Sequence, residues 1–203
     1  MDFIIFVEGE EDQNFLTECL KQWFSFKVEP KQILPLNGWT KIENSRPEIE
    51  LALADEQKVL LILDADDPTK SEGGAGERRK AVMRRLQPKI AEPELAKWDA
   101  ESALFLFPDN CNDGDLETLL RHMATHQDIF DCFSKYESCL RSKERGYITP
   151  NKHAGIFAYF EALGVDKKEN KPKAHPYHRT DWWDFAHPEL QPLREFLERT
   201  LGF

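Results

Sequence analysis

Three unbroken apolar runs, Phe3 to Val7, Val59 to Leu63 and Ala103 to Phe107, most restrict what this chain can fold into. A strand with one face in water alternates apolar and polar residues. A run without alternation suits a strand covered on both faces, as in a parallel sheet. A fourth, weaker run, Gln32 to Leu36, carries Pro35, which suits a sheet edge or a strand end because proline has no N–H for a ladder. Helical stripes separate the runs. Phe15, Leu16, Cys19, Leu20 and Trp23 recur at helical spacing after Glu10-Glu11-Asp12, an acidic turn that favours a helix N-terminus. Ile42 to Ala54 is a less regular candidate, and Arg78 to Ile90 aligns Val82, Leu86 and Ile90. Strand and helix in alternation predict an α/β fold with a mostly parallel four-stranded sheet flanked by helices.

The rest of the chain reads as helical: Asp115 to Met123, Gln127 to Arg141, Asn151 to Leu163 and Pro188 to Leu201. Asp166 to Thr180, polar and rich in Lys and Pro, reads as an exposed loop. Trp182-Trp183-Asp184-Phe185 is expected to pin the last helix to the body. No linker is long enough to separate two domains. Residues 1–203 are therefore expected to form one domain, with the sheet and its site in 1–124 and a helical extension in 125–203.

Composition excludes several classes. No apolar stretch approaches the roughly 18 residues of a membrane span, and the N-terminus lacks the basic start of a signal peptide. The expected location is the cytoplasm, with no membrane partner. Cys19, Cys111, Cys132 and Cys139 form no Cys-x-x-Cys pair, so zinc ribbons and thioredoxin-like sites are not indicated. The net charge of −10 opposes nonspecific nucleic-acid binding, which is usually carried by a basic surface. Nucleic acid could be met only through a local basic patch, a bridging metal or a partner subunit.

In an open parallel sheet, ligands bind beyond the carboxyl ends of the strands. The first strand is followed by Glu8-Gly9, the third by Asp64-Ala65-Asp66-Asp67 and the fourth by Pro108-Asp109-Asn110. Crowded carboxylates repel one another unless a cation neutralises them. Oxygen ligands select hard cations, so the expected cofactor is Mg²⁺ or Mn²⁺. Any one of these acids, taken singly, reads first as an ordinary helix-starting residue.

The flanking residues add a resemblance. Phe6-Val7-Glu8-Gly9-Glu10-Glu11-Asp12 and, one strand–helix–strand unit later, Leu61-Ile62-Leu63-Asp64-Ala65-Asp66-Asp67 resemble the Toprim signature. That signature is shared by bacterial primases, topoisomerases, the ribosomal-RNA maturation ribonuclease and the OLD (overcoming lysogenization defect) nucleases. It implies a Toprim-like Rossmann-type fold. Gly114-Asp115-Leu116-Glu117-Thr118-Leu119-Leu120 resembles the Leu-Glu element of OLD-type nucleases. Trp183 to Pro188 resembles the ending of an uncharacterised bacterial Toprim-like family, DUF3226-like in character. The resemblance implies a metal site of Glu8, Asp64 and Asp66, with Glu117 and Asp109 holding a second ion. It also implies Glu8 as an alternative general base and Lys152 as a catalytic lysine. The chain lacks the ATPase domain that precedes Toprim in OLD proteins. It has Asp67-Pro68-Thr69 where primases continue Asp-x-Asp-x-x-Gly, so primer synthesis and DNA relaxation are disfavoured.

Other candidates have plainer readings. His122 and His126 are four apart, but Met123 replaces the base of His-Glu-x-x-His proteases. His175, His178 and His187 could form a zinc site but read foremost as ordinary residues of a loop and aromatic patch. Gly73-Gly74-Ala75-Gly76 lacks the P-loop lysine and reads as a flexible turn. Arg78, Arg85 and Lys89 fall on one helical stripe, either a solvated face or a surface for phosphates. Lys167, Lys168, Lys171, Lys173 and Arg179 make a second basic cluster. Three functions follow: metal-dependent phosphoryl transfer, most simply phosphodiester hydrolysis of nucleic acid; a noncatalytic binding or regulatory module acting with a partner such as an ATPase in phage defence; or a structural subunit with an unused acidic cluster.

Overall fold

The computed structural model describes residues 2–88, 92–148, 150, 153–166, 169 and 171–203. Strand β1 (Phe3–Val7) leads into helix α1 (Glu10–Phe24) and then β2 (Ile33–Pro35). A 3₁₀ segment (Trp39–Ser45) continues into α2 (Arg46–Ala54), followed by β3 (Lys58–Asp64). Helices α3 (Ala75–Leu86) and α4 (Pro93–Lys97) precede β4 (Leu104–Phe107). Helices α5 (Leu116–Met123), α6 (Gln127–Arg141), α7 (Ala154–Ala162) and α8 (Gln191–Leu197) follow, and a π-helical turn, Glu198–Gly202, ends the chain.

The strands form one sheet in the order β2-β1-β3-β4, with every pairing parallel. Side chains alternate between its faces. Phe3, Ile5, Val7, Leu60, Ile62, Phe105 and Phe107 meet Phe15 and Leu16 of α1, Leu120 of α5, Phe160 of α7 and Phe196 of α8 in one core. Phe6, Val59, Leu61, Leu63, Leu104 and Leu106 face Ile49 of α2 and Val82 of α3 in the other. Burial on both faces is why these strands read as unbroken apolar runs.

Several expectations need correction. Helix α3 starts at Ala75, before Arg78, because Asp113 Oδ1 accepts the N–H of Ala75 at 2.7 Å and so caps an earlier turn. It ends at Leu86, just before Gln87 and Pro88; Ile90, the expected end, lies outside the described residues. Helix α7 begins at Ala154; Asn151 and Lys152 also lie outside them. Helix α4, starting at Pro93, is too short to have shown a periodic stripe. The segment 166–180 is not wholly exposed, since His175 and Tyr177 are buried. Nor is the glycine turn free: a Cβ on Gly73 would lie 2.1 Å from the Asp67 carbonyl oxygen, so the backbones are in direct contact. The Trp183 segment ties back to α5, with the Asp184 N–H donating to the Met123 carbonyl at 2.8 Å.

Candidate metal centre

The chain leaves β1 toward β2 on one side and leaves β3 toward β4 on the other, so the winding reverses between β1 and β3. At such a reversal the loops part and leave a crevice. Val7 lies opposite Ile62, so Glu8, just past β1, and Asp64, the last residue of β3, leave the sheet within one residue step of each other. Asp64 continues the side parity of Leu60 and Ile62 and points under α5. There its Oδ1 accepts the Leu116 N–H at 3.0 Å. The free N–H groups and the dipole at a helix N-terminus favour an anion in that position.

Asp115 starts α5 by accepting from Thr118 N at 3.0 Å and from Thr118 Oγ1 at 2.8 Å. This cap fixes the helix phase and turns Glu117 inward, where it is buried and paired with Nδ1 of His153. On the opposite wall, the Gly9 N–H donates to Asp12 Oδ2 at 2.8 Å, holding Asp12 over the end of β1. The result is a cleft of about 280 Å³ whose lining includes Glu8, Glu11, Asp12, Asp64, Glu117 and His153.

The titration behaviour records this crowding. Burial, reinforced by the charges of Asp64 and Glu8, holds the Asp12 carboxyl well above its ordinary range and outweighs the Gly9 hydrogen bond. Glu11 behaves oppositely. Burial pushes it up, but His175 Nδ1 at 2.9 Å and the Tyr177 hydroxyl at 2.8 Å more than reverse this, so it stays a carboxylate below its ordinary range. Burial and the neighbouring Glu11 charge push the Tyr177 phenol well up, keeping it a donor.

The donors fit a small cation. One ligand atom each from Glu11, Glu117 and His153 lies within 4.8 Å of the others. Ligands on opposite sides of a cation at ~2.0–2.4 Å would be separated by about that much. Glu8, Asp12 and Asp64 bring further oxygens into the same cleft.

The structure does not gather every expected residue. Glu8, Asp64 and Glu117 share the cleft. Asp66 is outside its lining: with a left-handed backbone (φ 64°), its side chain turns to Arg78 NH2 at 2.5 Å and Lys70 Nζ at 2.6 Å. Asp109 is also outside, accepting from Cys111 N, Asn112 N and Asn112 Nδ2 at 3.0, 2.7 and 2.6 Å within its own loop. Arg78, expected to face phosphates, is 1% exposed and lies 3.9 Å from the Trp39 ring centroid. Arg85 stacks on the same ring at 4.3 Å and pairs with Glu72 at 2.9 Å, so it too is engaged internally. Lys89 and Lys152 lie outside the described residues. Asp12, Glu11, His153 and Tyr177 were not anticipated, and His175, considered above for a zinc site, instead pairs with Glu11. The spacing of Glu8 and Asp12 across a strand–helix turn was a usable signal for Asp12; nothing local marked Tyr177 or the pairing of His175 with Glu11.

Fold and cleft together define a parallel α/β protein with an acidic crevice at its topological switch point. The chain belongs to the family described as proteins of unknown function, DUF3226, whose family model matches residues 2–202. Its structure is similar to that of the C-terminal region of the Burkholderia pseudomallei OLD protein, at 16% identity and a TM-score of 0.45, covering 97% of this chain and 96% of that one. No curated protein matches the sequence. Among the described residues, no helix is long and apolar enough to cross a membrane.

Proposed function

We propose that the cleft is a Mg²⁺ or Mn²⁺ centre for phosphoryl transfer, most simply phosphodiester hydrolysis of nucleic acid by a Toprim-type nuclease. The observation that carries this reading is the convergence of Glu8, Asp12, Asp64 and Glu117 at the switch point, with the Asp12 carboxyl held up by burial and by its acidic neighbours. Such a cluster is unfavourable alone and becomes favourable around a cation. Glu8, Asp64 and Glu117 would hold the metal, with Asp12 and Glu11 in reach. A bound divalent ion would polarise a phosphoryl oxygen and lower the pKa of a bound water. Alternatively to holding the metal, Glu8, half-buried at the cleft, would accept a proton from such a water. His153 orients the Glu117 carboxylate through Nδ1, and His175 with Tyr177 does the same for Glu11. Lys152 stays a proposal from resemblance, as a cation for developing charge.

A second reading, a noncatalytic module acting with an ATPase partner, is favoured by the net charge of −10 and by the internal pairing of Arg78 and Arg85. One experiment separates them. Mn²⁺ binding is followed by electron paramagnetic resonance, then cleavage of single- and double-stranded DNA and of RNA is assayed with each metal. The nuclease reading expects binding, metal-dependent cleavage, and loss of cleavage by orders of magnitude in Glu117→Gln. Metal binding with no cleavage of any substrate supports the module, and absence of metal binding refutes the nuclease.

A further inference from the structure

Glu11 differs from the other acids of the cleft in being held by a segment more than 160 residues later in the chain. Residues 171–177 form a strap across the N-terminal half of α1. Pro172–Ala174 makes a 3₁₀ turn, and Asn14 Nδ2 donates to the carbonyls of Pro172 at 3.3 Å and His175 at 2.8 Å. His175, Pro176 and Tyr177 are buried, and Trp183 Nε1 donates to the Pro176 carbonyl at 3.3 Å. Pro172 itself lines the cleft. The two buried polar side chains of the strap, His175 and Tyr177, both end on Glu11.

Both donors meet the same oxygen. His175 Nδ1 and the Tyr177 hydroxyl reach Glu11 Oε1, and among the described residues no donor meets Oε2. Nε2 of His175 is buried without a partner, so the ring serves Glu11 through Nδ1 alone. A carboxylate has about four lone-pair sites on its two oxygens. Packing that served only to bury this one would satisfy both oxygens. Here one oxygen is fixed from behind and the other is left to the cleft, whose lining includes Glu11. Across that cleft stand Glu117, the second residue of α5, and His153, the residue before α7. One ligand atom of each lies within 4.8 Å of one on Glu11. Ligands fixed from behind by hydrogen bonds are the usual construction of a metal site. We propose that Glu11 ligates the cleft ion directly and that the strap presents it, so that ion binding and strap docking stabilise each other. This rests on the metal-centre reading above. The coupling is reciprocal: whatever factor the docked strap adds to ion affinity, the ion adds to docking.

The test measures Mn²⁺ affinity of the whole protein by electron paramagnetic resonance, with circular dichroism as the check on folding. Partners that hold a ligand change metal affinity by about 10–100-fold, which sets the scale. Glu11→Gln should weaken Mn²⁺ binding by about tenfold or more. Tyr177→Phe keeps the ring and removes only the hydroxyl. It should also weaken Mn²⁺ binding by about tenfold, although Tyr177 is not part of the cleft lining. A second measurement needs no variant: hydrogen exchange of the wild type, read by mass spectrometry on the peptide covering 171–177. Exchange should be slower by about tenfold at saturating Mn²⁺ than in chelator, and Glu11→Gln should lose the difference. Absence of Mn²⁺ binding to the wild type would overturn this inference together with the metal-centre reading. Mn²⁺ affinity that stays within about twofold in Glu11→Gln would overturn the inference alone, leaving Glu8, Asp64 and Glu117 as the site. So would strap exchange indifferent to Mn²⁺.

Discussion

Whether Asp66 anchors the fold or ligates metal turns on Arg78. Its guanidinium donates to Asp66 Oδ2 at 2.5 Å, lies over Trp39 and is almost wholly buried. Arg78→Met would keep much of the volume and remove the charge. Removing one partner of a buried pair costs about 3–5 kcal/mol, because the other charge is left desolvated. Lys70, half-exposed at 2.6 Å from Asp66 Oδ1, should return no more than about 1 kcal/mol of that. Loss of the cation–π contact adds up to about 2 kcal/mol. The net expectation is a loss of about 2–7 kcal/mol, which in a chain of this size lowers the melting temperature by ~4–28 °C. Asp66→Asn should cost a comparable amount, and the double variant clearly less than the sum, with a coupling of ~1–3 kcal/mol. Urea unfolding of the four proteins, with Mn²⁺ binding by electron paramagnetic resonance, completes the cycle. Asp66→Asn should keep Mn²⁺ affinity within a few fold, whereas Asp64→Asn should lose it. Additive losses below about 1 kcal/mol each would refute the buried pair. A collapse of Mn²⁺ affinity in Asp66→Asn alone would return Asp66 to the metal site.

Three further outcomes follow from the same geometry. Gly73→Ala should cost about 1–3 kcal/mol in denaturant unfolding, since its methyl meets the Asp67 carbonyl oxygen at 2.1 Å and the backbone must shift. Asp12 has a folded-state pKa above its unfolded value, so the folded state binds the extra proton. Metal-free stability should therefore fall as pH rises from about 4 through the raised pKa. Asp12→Asn, which keeps an acceptor for the Gly9 N–H, should flatten that fall in melting curves recorded with chelator. Tyr177→Phe should lower stability by about 1.5–3 kcal/mol, the worth of a hydrogen bond to a charged acceptor, read as a shift in urea midpoint.

The sheet was legible because parallel strands buried on both faces must be apolar throughout, and Phe3–Val7 and Leu60–Leu63 are. Glu8 and Asp64 were legible as the first polar residues after those runs. Asp66 lies outside the cleft lining for a reason of backbone geometry. An Asp-x-Asp pair shares a direction only while the chain stays extended, and the left-handed turn at Asp66 sends the second side chain toward α3. Arg78 was misread because periodicity places it on a stripe without saying what covers the stripe. Its cover is Trp39, far earlier in the chain. His175 and Tyr177 support Glu11 from more than 160 residues away, a contact that only the packed tertiary structure makes.

The disposition of the cations bears on any encounter with nucleic acid. Arg84 and Arg85 both pair with Glu72, Arg46 pairs with Glu92, and Arg78 pairs with Asp66. Four of the arginines in and beside α3 are therefore paired with acids within the protein, Arg79 donates instead to the Asn110 amide oxygen, and the chain as a whole is anionic. A phosphate backbone gains little from such a surface, so on the metal-centre proposal capture would come from a metal in the cleft. Each phosphate neutralised by a side chain contributes about −0.9 to the slope of log affinity against log salt on duplex DNA, or about −0.7 on single strands. Binding through the metal should then show a slope no steeper than about −2, depend on Mg²⁺ or Mn²⁺, and stay unchanged in Arg84→Ala/Arg85→Ala. Fluorescence anisotropy with labelled oligonucleotides over a salt series measures all three. A steep slope that flattens in the double variant would show that α3 releases its acids to take up phosphate, and would restore the helix to the binding surface.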